Sequence, residues 1–473
     1  MNQDAVASNR LAILSRHLCA EQQGSVWAGV PQAPPDGILG ITEAFKADGD
    51  SRKLNLGEGQ PLVLSAVRQA EQRLVADGSR NKEYQPMGGD ATFCQLSRRL
   101  AFGAECPASA AGRIATVQTL SGTGALRVGA EFLKKHYAVK VVYLPDPTWA
   151  NHGNIFGNAA GLELRKYRYF DSQTRGLDYQ GLLSDLGAAP EGAVVVLHAC
   201  AHNPTGVDPT PEQWQGILRV VQQRRLLPFF DSAYQGILRV VQEQRLLPFF
   251  DSAYQGFASG DLDKDAAALR MSTTAGLELL HAFSSNASGF ASGDLDKDAA
   301  ALRMFTSAGL ELLLAQSYAK NMGLYGERVG AISVVSHCAD AAKRVHSQLC
   351  AVVRPMYSSP PIHGAAIVVK VLSDPQLFGL WRQELAGMSR RIQAMRTALK
   401  QALIEVRCPG NWDHITAQIG MFSYTGLTKA QCQNMTNKWH VYMTMDGRIS
   451  MAGLSGARAR YMAEAIKDSV LSC

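Results

Sequence analysis

The sequence predicts an α/β protein built on a mostly parallel sheet covered by helices on both faces, and three features carry that expectation. Short apolar runs at 114–120 (IATVQTL), 139–146 (VKVVYLPD), 192–200 (GAVVVLHAC) and 225–230 (RLLPFF) lack polar alternation. Each therefore reads as a strand buried on both sides. Helix-like periodicity alternates with such runs from about residue 63 to 335, the pattern of a parallel sheet with helical crossovers. Beyond about residue 375 a long helical stretch (381–406) precedes short strands and a final helix (457–470), which predicts a smaller α+β domain. The expected division is an N-terminal extension at 1–23, the first part of the small domain at 24–62, a large domain at 63–387 and the rest of the small domain at 388–473.

At 473 residues, with 46% hydrophobic and 19% charged residues, the chain suits a soluble enzyme with a sizeable core. The net charge of +6 is scattered and forms no basic run, which argues against a nucleic-acid partner and fits anionic substrates. Nine cysteines without CxxC pairs argue against a disulfide framework or a metal site, and for a reducing compartment. No apolar stretch reaches the ~18 residues of a membrane span. Within residues 1–23, Arg10-Leu11, five residues, then His17-Leu18 resembles an N-terminal peroxisomal address, with Leu11, Leu14 and Leu18 on one helix face. The alternatives are an amphipathic leader for a plastid or mitochondrion, or residence in the cytoplasm.

An internal duplication interrupts the large domain. GILRVVQQRRLLPFFDSAYQ at 216–235 recurs at 236–255 with two differences, and GFASGDLDKDAAALRM at 256–271 recurs at 289–304. Two copies do not make a solenoid. Removing 236–288 as one block leaves a continuous sequence, so the stretch reads as an insertion within one domain, or as a gene-model artefact.

Several segments place reactive groups where strands end. In SYAKNMGLYGERVG (317–330) an apolar strand delivers Ser317, Lys320 and Arg328 to one loop. A lysine there is desolvated, which lowers its pKa and frees a neutral amine to condense with a carbonyl. The matching place in the first copy holds Ala287, so only Lys320 can react. HACAHNPTG (198–206) fixes the amide of Asn203 in a rigid turn. LLPFFDSAY ends a buried strand in Asp231 with Tyr234 three residues on, and again in Asp251 with Tyr254. A carboxylate in such a place needs a cation or a donor. LSGTGALRVG (120–129) passes from strand to helix through small residues, which suits a phosphate. A dinucleotide fingerprint would require glycine at 127, where Arg127 stands.

Together with EYQP (83–86), PTWANH (147–152), RPMYSSPP (354–361) and DGRISMAGL (446–454), these segments follow one another as in the aspartate aminotransferases. The resemblance runs from about residue 26 to the C-terminus and is nearest the plant and algal type. It implies a fold-type-I pyridoxal-phosphate transferase with a mostly parallel seven-stranded sheet in its large domain. It further implies a homodimer that exchanges amino groups between aspartate and 2-oxoglutarate, giving oxaloacetate and glutamate.

Carried onto this chain, the resemblance makes Lys320 the residue that binds the cofactor covalently and moves the substrate proton. Asp231 would pair with the pyridine nitrogen, supported by His152. Tyr234 and Asn203 would reach the ring's phenolic oxygen, and Trp149 would stack on the ring. Ser121, Gly122, Thr123, Ser317 and Arg328 would hold the phosphate, with Tyr84 reaching the neighbouring subunit's phosphate. Arg448 would take the substrate α-carboxylate beside Phe422, and Arg354 the distal carboxylate across the dimer.

The chain departs from the family in two ways. NLGEGQPLVL (55–64) lacks about seven family residues after Gly57, including a glycine against the substrate for which Gly59 could stand in. A shortened loop there would impair closure. In the duplicated stretch, Asn203 to Asp231 keeps the family spacing, whereas Asp251 keeps the direct run into QGFASG. Asp231 and Tyr234 are favoured because a single excursion needs only one loop closure, with Asp251 and Tyr254 as alternates. Both departures motivate the rival reading of a catalytically impaired relative.

Overall fold

The computed structural model describes residues 25, 27–33, 39–57, 62–233 and 295–473. The leader at 1–23, Gly59, Tyr234, Asp251, Tyr254 and the whole of the duplicated insertion at 236–288 lie outside the described residues. Seven strands form the central sheet, numbered here in chain order. They are β1 (Ile114–Leu120), β2 (Val141–Asp146), β3 (Glu163–Arg168), β4 (Val194–His198), β5 (Leu227–Ser232), β6 (Leu312–Ser317) and β7 (Val329–Val335). Their lateral order is β1-β7-β6-β5-β4-β2-β3. β2, β3, β4, β5 and β6 pair in parallel, while β7 runs antiparallel to both β1 and β6.

The unbroken apolar runs are explained by what lies on each face. Successive residues of a strand point to opposite sides. Phe229, Val194, Val196 and Leu313 enter one core, and Phe230, Val195, Leu197, Leu312 and Leu314 enter the other. A third core surrounds the 31-residue helix Pro375–Glu405, in which Trp381 is fully buried and its Nε1 donates to the Asn321 carbonyl at 2.7 Å.

The chain before residue 58 joins the C-terminal part. Leu54 and Asn55 pair in parallel with Val441 and Tyr442, and the Leu56 carbonyl accepts from the Ser450 amide at 2.7 Å. Phe422–Tyr424 and Arg448–Ser450 form an antiparallel pair nearby. The expected division at 387/388 falls inside the continuous helix Pro375–Glu405, so one rigid element spans it. Among the described residues no helix is long and apolar enough to cross a membrane.

Helix Ser121–His136 lies directly on the sheet because Gly129 allows it. A Cβ at 129 would stand 2.5 Å from Phe229 Cζ and 2.7 Å from Ile332 Cδ1. Gly129→Ala is expected to destabilise the protein by ~1–3 kcal/mol through overpacking. A denaturant titration checks this, and an unchanged midpoint would show that the helix can retreat without loss.

Candidate active site

Ligands of open α/β sheets bind beyond the carboxyl ends of the strands. Here β1, β4, β5 and β6 end at one edge of the sheet, and β7, being antiparallel, begins there. A cavity of ≈ 810 Å³ opens at that edge. Ser121, Gly122 and Thr123 line it from the end of β1, Trp149 from beyond β2 and Asn203 from beyond β4. Asp231 enters from β5 itself, Ser317, Lys320 and Arg328 from the β6–β7 connection, and Phe422 and Arg448 from the antiparallel pair.

The Ser121 corner is shaped to receive an anion. Helix Ser121–His136 begins without a side-chain cap, leaving its first amides for a ligand. Ser121 has φ of +62° and its Oγ lies 2.9 Å from Ser317 Oγ. A Cβ at Gly122 would approach Ser317 Cβ to 3.2 Å, and one at Gly330 would stand 2.6 Å from the Ser121 carbonyl carbon. Glycine is required at 330, where backbone atoms stand in the way of any side chain, and the fit at 122 is tight. Arg328 is exposed at the rim and donates from Nη1 to the Tyr325 carbonyl at 3.0 Å.

Opposite lies Asp231, 7% exposed. His152 Nε2 stands 3.3 Å and His198 Nε2 3.8 Å from its Oδ2. Burial pushes the Asp231 pKa up, but His152, His198 and Lys320 together outweigh that and hold it below the ordinary carboxylate value. His152 does not line the cavity. It sits behind the carboxylate, fully buried, with Nδ1 2.8 Å from Thr148 Oγ1. Burial lowers the pKa of Lys320 against the opposing pull of Asp231, and the cations Arg328 and Arg448 lower it further.

At the far end Arg448, 5% exposed, donates from Nη1 to Asn203 Oδ1 at 3.3 Å and lies over the Phe422 ring at 4.3 Å. Two expected residues are elsewhere. Arg354 is on the exposed face of helix Ala339–Tyr357 and donates to Ser358 Oγ at 2.6 Å, and Tyr84 is 86% exposed.

The sequence reading missed Leu62, Val63, Tyr325, Met388, Arg391, Ile392 and Met421, which also line the cavity. Met388 and Ile392 share a helix face at i, i+4, a spacing that signals burial but not what is buried there.

Two buried histidines make the fold acid-sensitive. Burial lowers His198 to about 4. Burial, with Arg175 nearby, lowers His414 to about 4 as well. As pH falls from 6.5 toward 4 the unfolded chain binds protons at these imidazoles and the folded chain does not, so stability is lost across that window. The melting temperature should fall over it, and His198→Asn should make that fall shallower. An identical slope would show that His198 contributes nothing.

Residues 51–239 and 235–466 match the family described as aminotransferase class I and II, the match dividing where the duplicated segment begins. The chain is 51% identical over 453 residues to a cytoplasmic aspartate aminotransferase of Oryza sativa subsp. japonica, covering 94% of this chain and 98% of that protein. It is 50% identical over 450 residues to aspartate aminotransferase 3, chloroplastic, of Arabidopsis thaliana, covering 94% and 88%. Among solved structures, an aromatic-amino-acid aminotransferase from Burkholderia pseudomallei, covalently bound to pyridoxal phosphate, superimposes with a TM-score of 0.80 at 38% identity over 94% of this chain and 99% of that one.

Proposed function

The chain belongs to the aminotransferase class I and II family, and from that premise we propose that it is a pyridoxal-phosphate enzyme transferring the amino group between L-aspartate and 2-oxoglutarate. The products are oxaloacetate and L-glutamate, formed in two half-reactions. The observation that carries this reading is the pairing of a desolvated amine, Lys320, with a buried ionised carboxylate, Asp231, across one cavity.

The residues present fit the cofactor. The uncapped helix start and the Ser121–Ser317 corner suit a phosphate, and the buried carboxylate of Asp231, lining the same cavity, suits a protonated ring nitrogen. When bound, the cofactor supplies an electron sink for the pair left on the substrate's α carbon. Lys320 Nζ, its pKa lowered by burial, accepts the α proton and returns it. Asp231 would set its charge against the ring nitrogen, with His152 Nε2 3.3 Å behind it. Asn203, with Tyr234 following on from Ala233, would reach the ring's phenolic oxygen, and Trp149 would stack on its face. Thr123, Gly122 and Arg328 complete the phosphate grip.

Arg448 would take the α-carboxylate above Phe422 through its forked guanidinium. Arg354 and Tyr84, exposed and outside the cavity, fit a homodimer in which each serves the site of a partner subunit. The sheet-bearing part at 63–387 thus supplies the cofactor end, and the 388–473 part the carboxylate end. The relatives include cytoplasmic and chloroplastic proteins, and we read the leader around Arg10 and His17 as a peroxisomal address.

Purified protein loaded with pyridoxal phosphate is expected to show a visible absorption band that shifts with pH and to form oxaloacetate from aspartate and 2-oxoglutarate. Lys320→Ala should abolish the pH-shifting band and lower kcat by at least roughly 10²–10⁴-fold. Folded protein that stays colourless sinks the proposal. Colour without turnover favours the impaired relative.

A further inference from the structure

Arg396 lies in helix Pro375–Glu405, is 3% exposed, and faces no carboxylate among the described residues. Among the described residues its hydrogen bonds go to main-chain carbonyls alone. Nη1 donates to Ile415 at 2.8 Å, and Nη2 to Ile419 at 3.3 Å, to Gly420 at 3.0 Å and to Phe422. A guanidinium taken out of water without a counter-charge is costly, so the knot it ties calls for a purpose beyond filling space.

The same segment is gripped from the other side. The Ile419 amide donates to the Gly206 carbonyl at 2.8 Å, and Gly206, at φ +67°, is so close that a Cβ would stand 2.8 Å from the Ile419 oxygen and 3.0 Å from the Phe422 oxygen. Gly206 closes the turn that carries Asn203, its amide donating to the His202 carbonyl at 2.7 Å. Beyond the knot, Phe422 lies under the Arg448 guanidinium, and Tyr424 pairs with Arg448 across the strands. Asn203 and Arg448 then meet at 3.3 Å. The carbonyls of Ile419 and Phe422 are therefore held between Arg396 and the Gly206 turn, and both partners of the Asn203–Arg448 pair hang from that clasp.

We propose that Arg396 is a positioning residue for substrate-carboxylate recognition: by gathering the carbonyls of the 415–422 segment it sets Arg448 against Asn203. This rests on the function proposed above. The guanidinium reaches these carbonyls from two nitrogens held apart in one plane, so a lysine in its place keeps the charge but loses the geometry.

The test uses cofactor-loaded full-length protein. Arg396→Lys should raise KM for L-aspartate about tenfold while kcat stays within about threefold, the signature of lost binding common to ground and transition states. Binding of succinate, a dicarboxylate without an amino group, followed by calorimetry, should weaken by a similar factor, while the visible band and its pH titration stay unchanged. Gly206→Ala presses on the same two carbonyls from the opposite side and should give the same pattern, which keeps the idea decidable if Arg396→Lys does not fold. Unchanged KM and succinate affinity in a folded variant overturn the inference, as does equal loss of kcat with loss of cofactor. Wild-type protein without aspartate turnover would overturn the proposed function and this inference with it. An active wild type with unaltered variants overturns the inference alone.

Discussion

Asp231 is a carboxylate at the tip of a central strand, 7% exposed, and the surrounding structure answers to the cost of keeping that charge there. Two imidazoles stand within 4 Å of one of its oxygens, and the ammonium of Lys320 contributes from across the cavity. The two groups condition each other. Asp231 raises the lysine pKa while burial lowers it, and lysine lowers that of the carboxylate while burial raises it. A net negative charge at one wall and a desolvated amine at the other make a site in which a cationic heterocycle and a carbonyl can be held together.

The sheet makes that juxtaposition possible. Parallel strands send their carboxyl ends to one edge, and a fully parallel sheet would place the β6–β7 link at opposite edges. Because β7 runs back against β6, the connection between them stays at the site, and Ser317, Lys320 and Arg328 come from one short stretch of chain. The Ser121 corner then needs close approach of the Ser121, Gln316 and Gly330 backbones, which explains glycine at 330.

The wall of the cavity around Arg448 is built differently. Arg448 and Phe422 stand on a two-stranded pair with little sheet to stiffen it, and the pair is fixed instead by the buried guanidinium of Arg396 and by the Gly206 turn. Beside Lys320 and Asp231 rigidity comes from packed strands, and beside Arg448 from charge-assisted hydrogen bonds to carbonyls.

By itself the sequence determined the parts whose signal is local. Continuous apolar runs marked β1, β2, β4, β5 and β6 because both faces are covered, and the strand ends and the segments after them carried Ser121, Asn203, Asp231 and Lys320 in recognisable order. The long C-terminal helix was legible from residue 381, yet it starts at Pro375, where Asp374 accepts from the Gln376 and Leu377 amides, a cap of one residue that periodicity does not register. Only the tertiary structure decided which distant pieces meet. Arg448 bonds Asn203 across 245 residues of chain, and Met388, Arg391, Ile392 and Arg396 share one side of a helix whose periodicity says nothing of what that side meets. Their part depends on which loop that face packs against, and no spacing within the helix encodes it, because burial constrains the character of a side chain and not the identity of its neighbour.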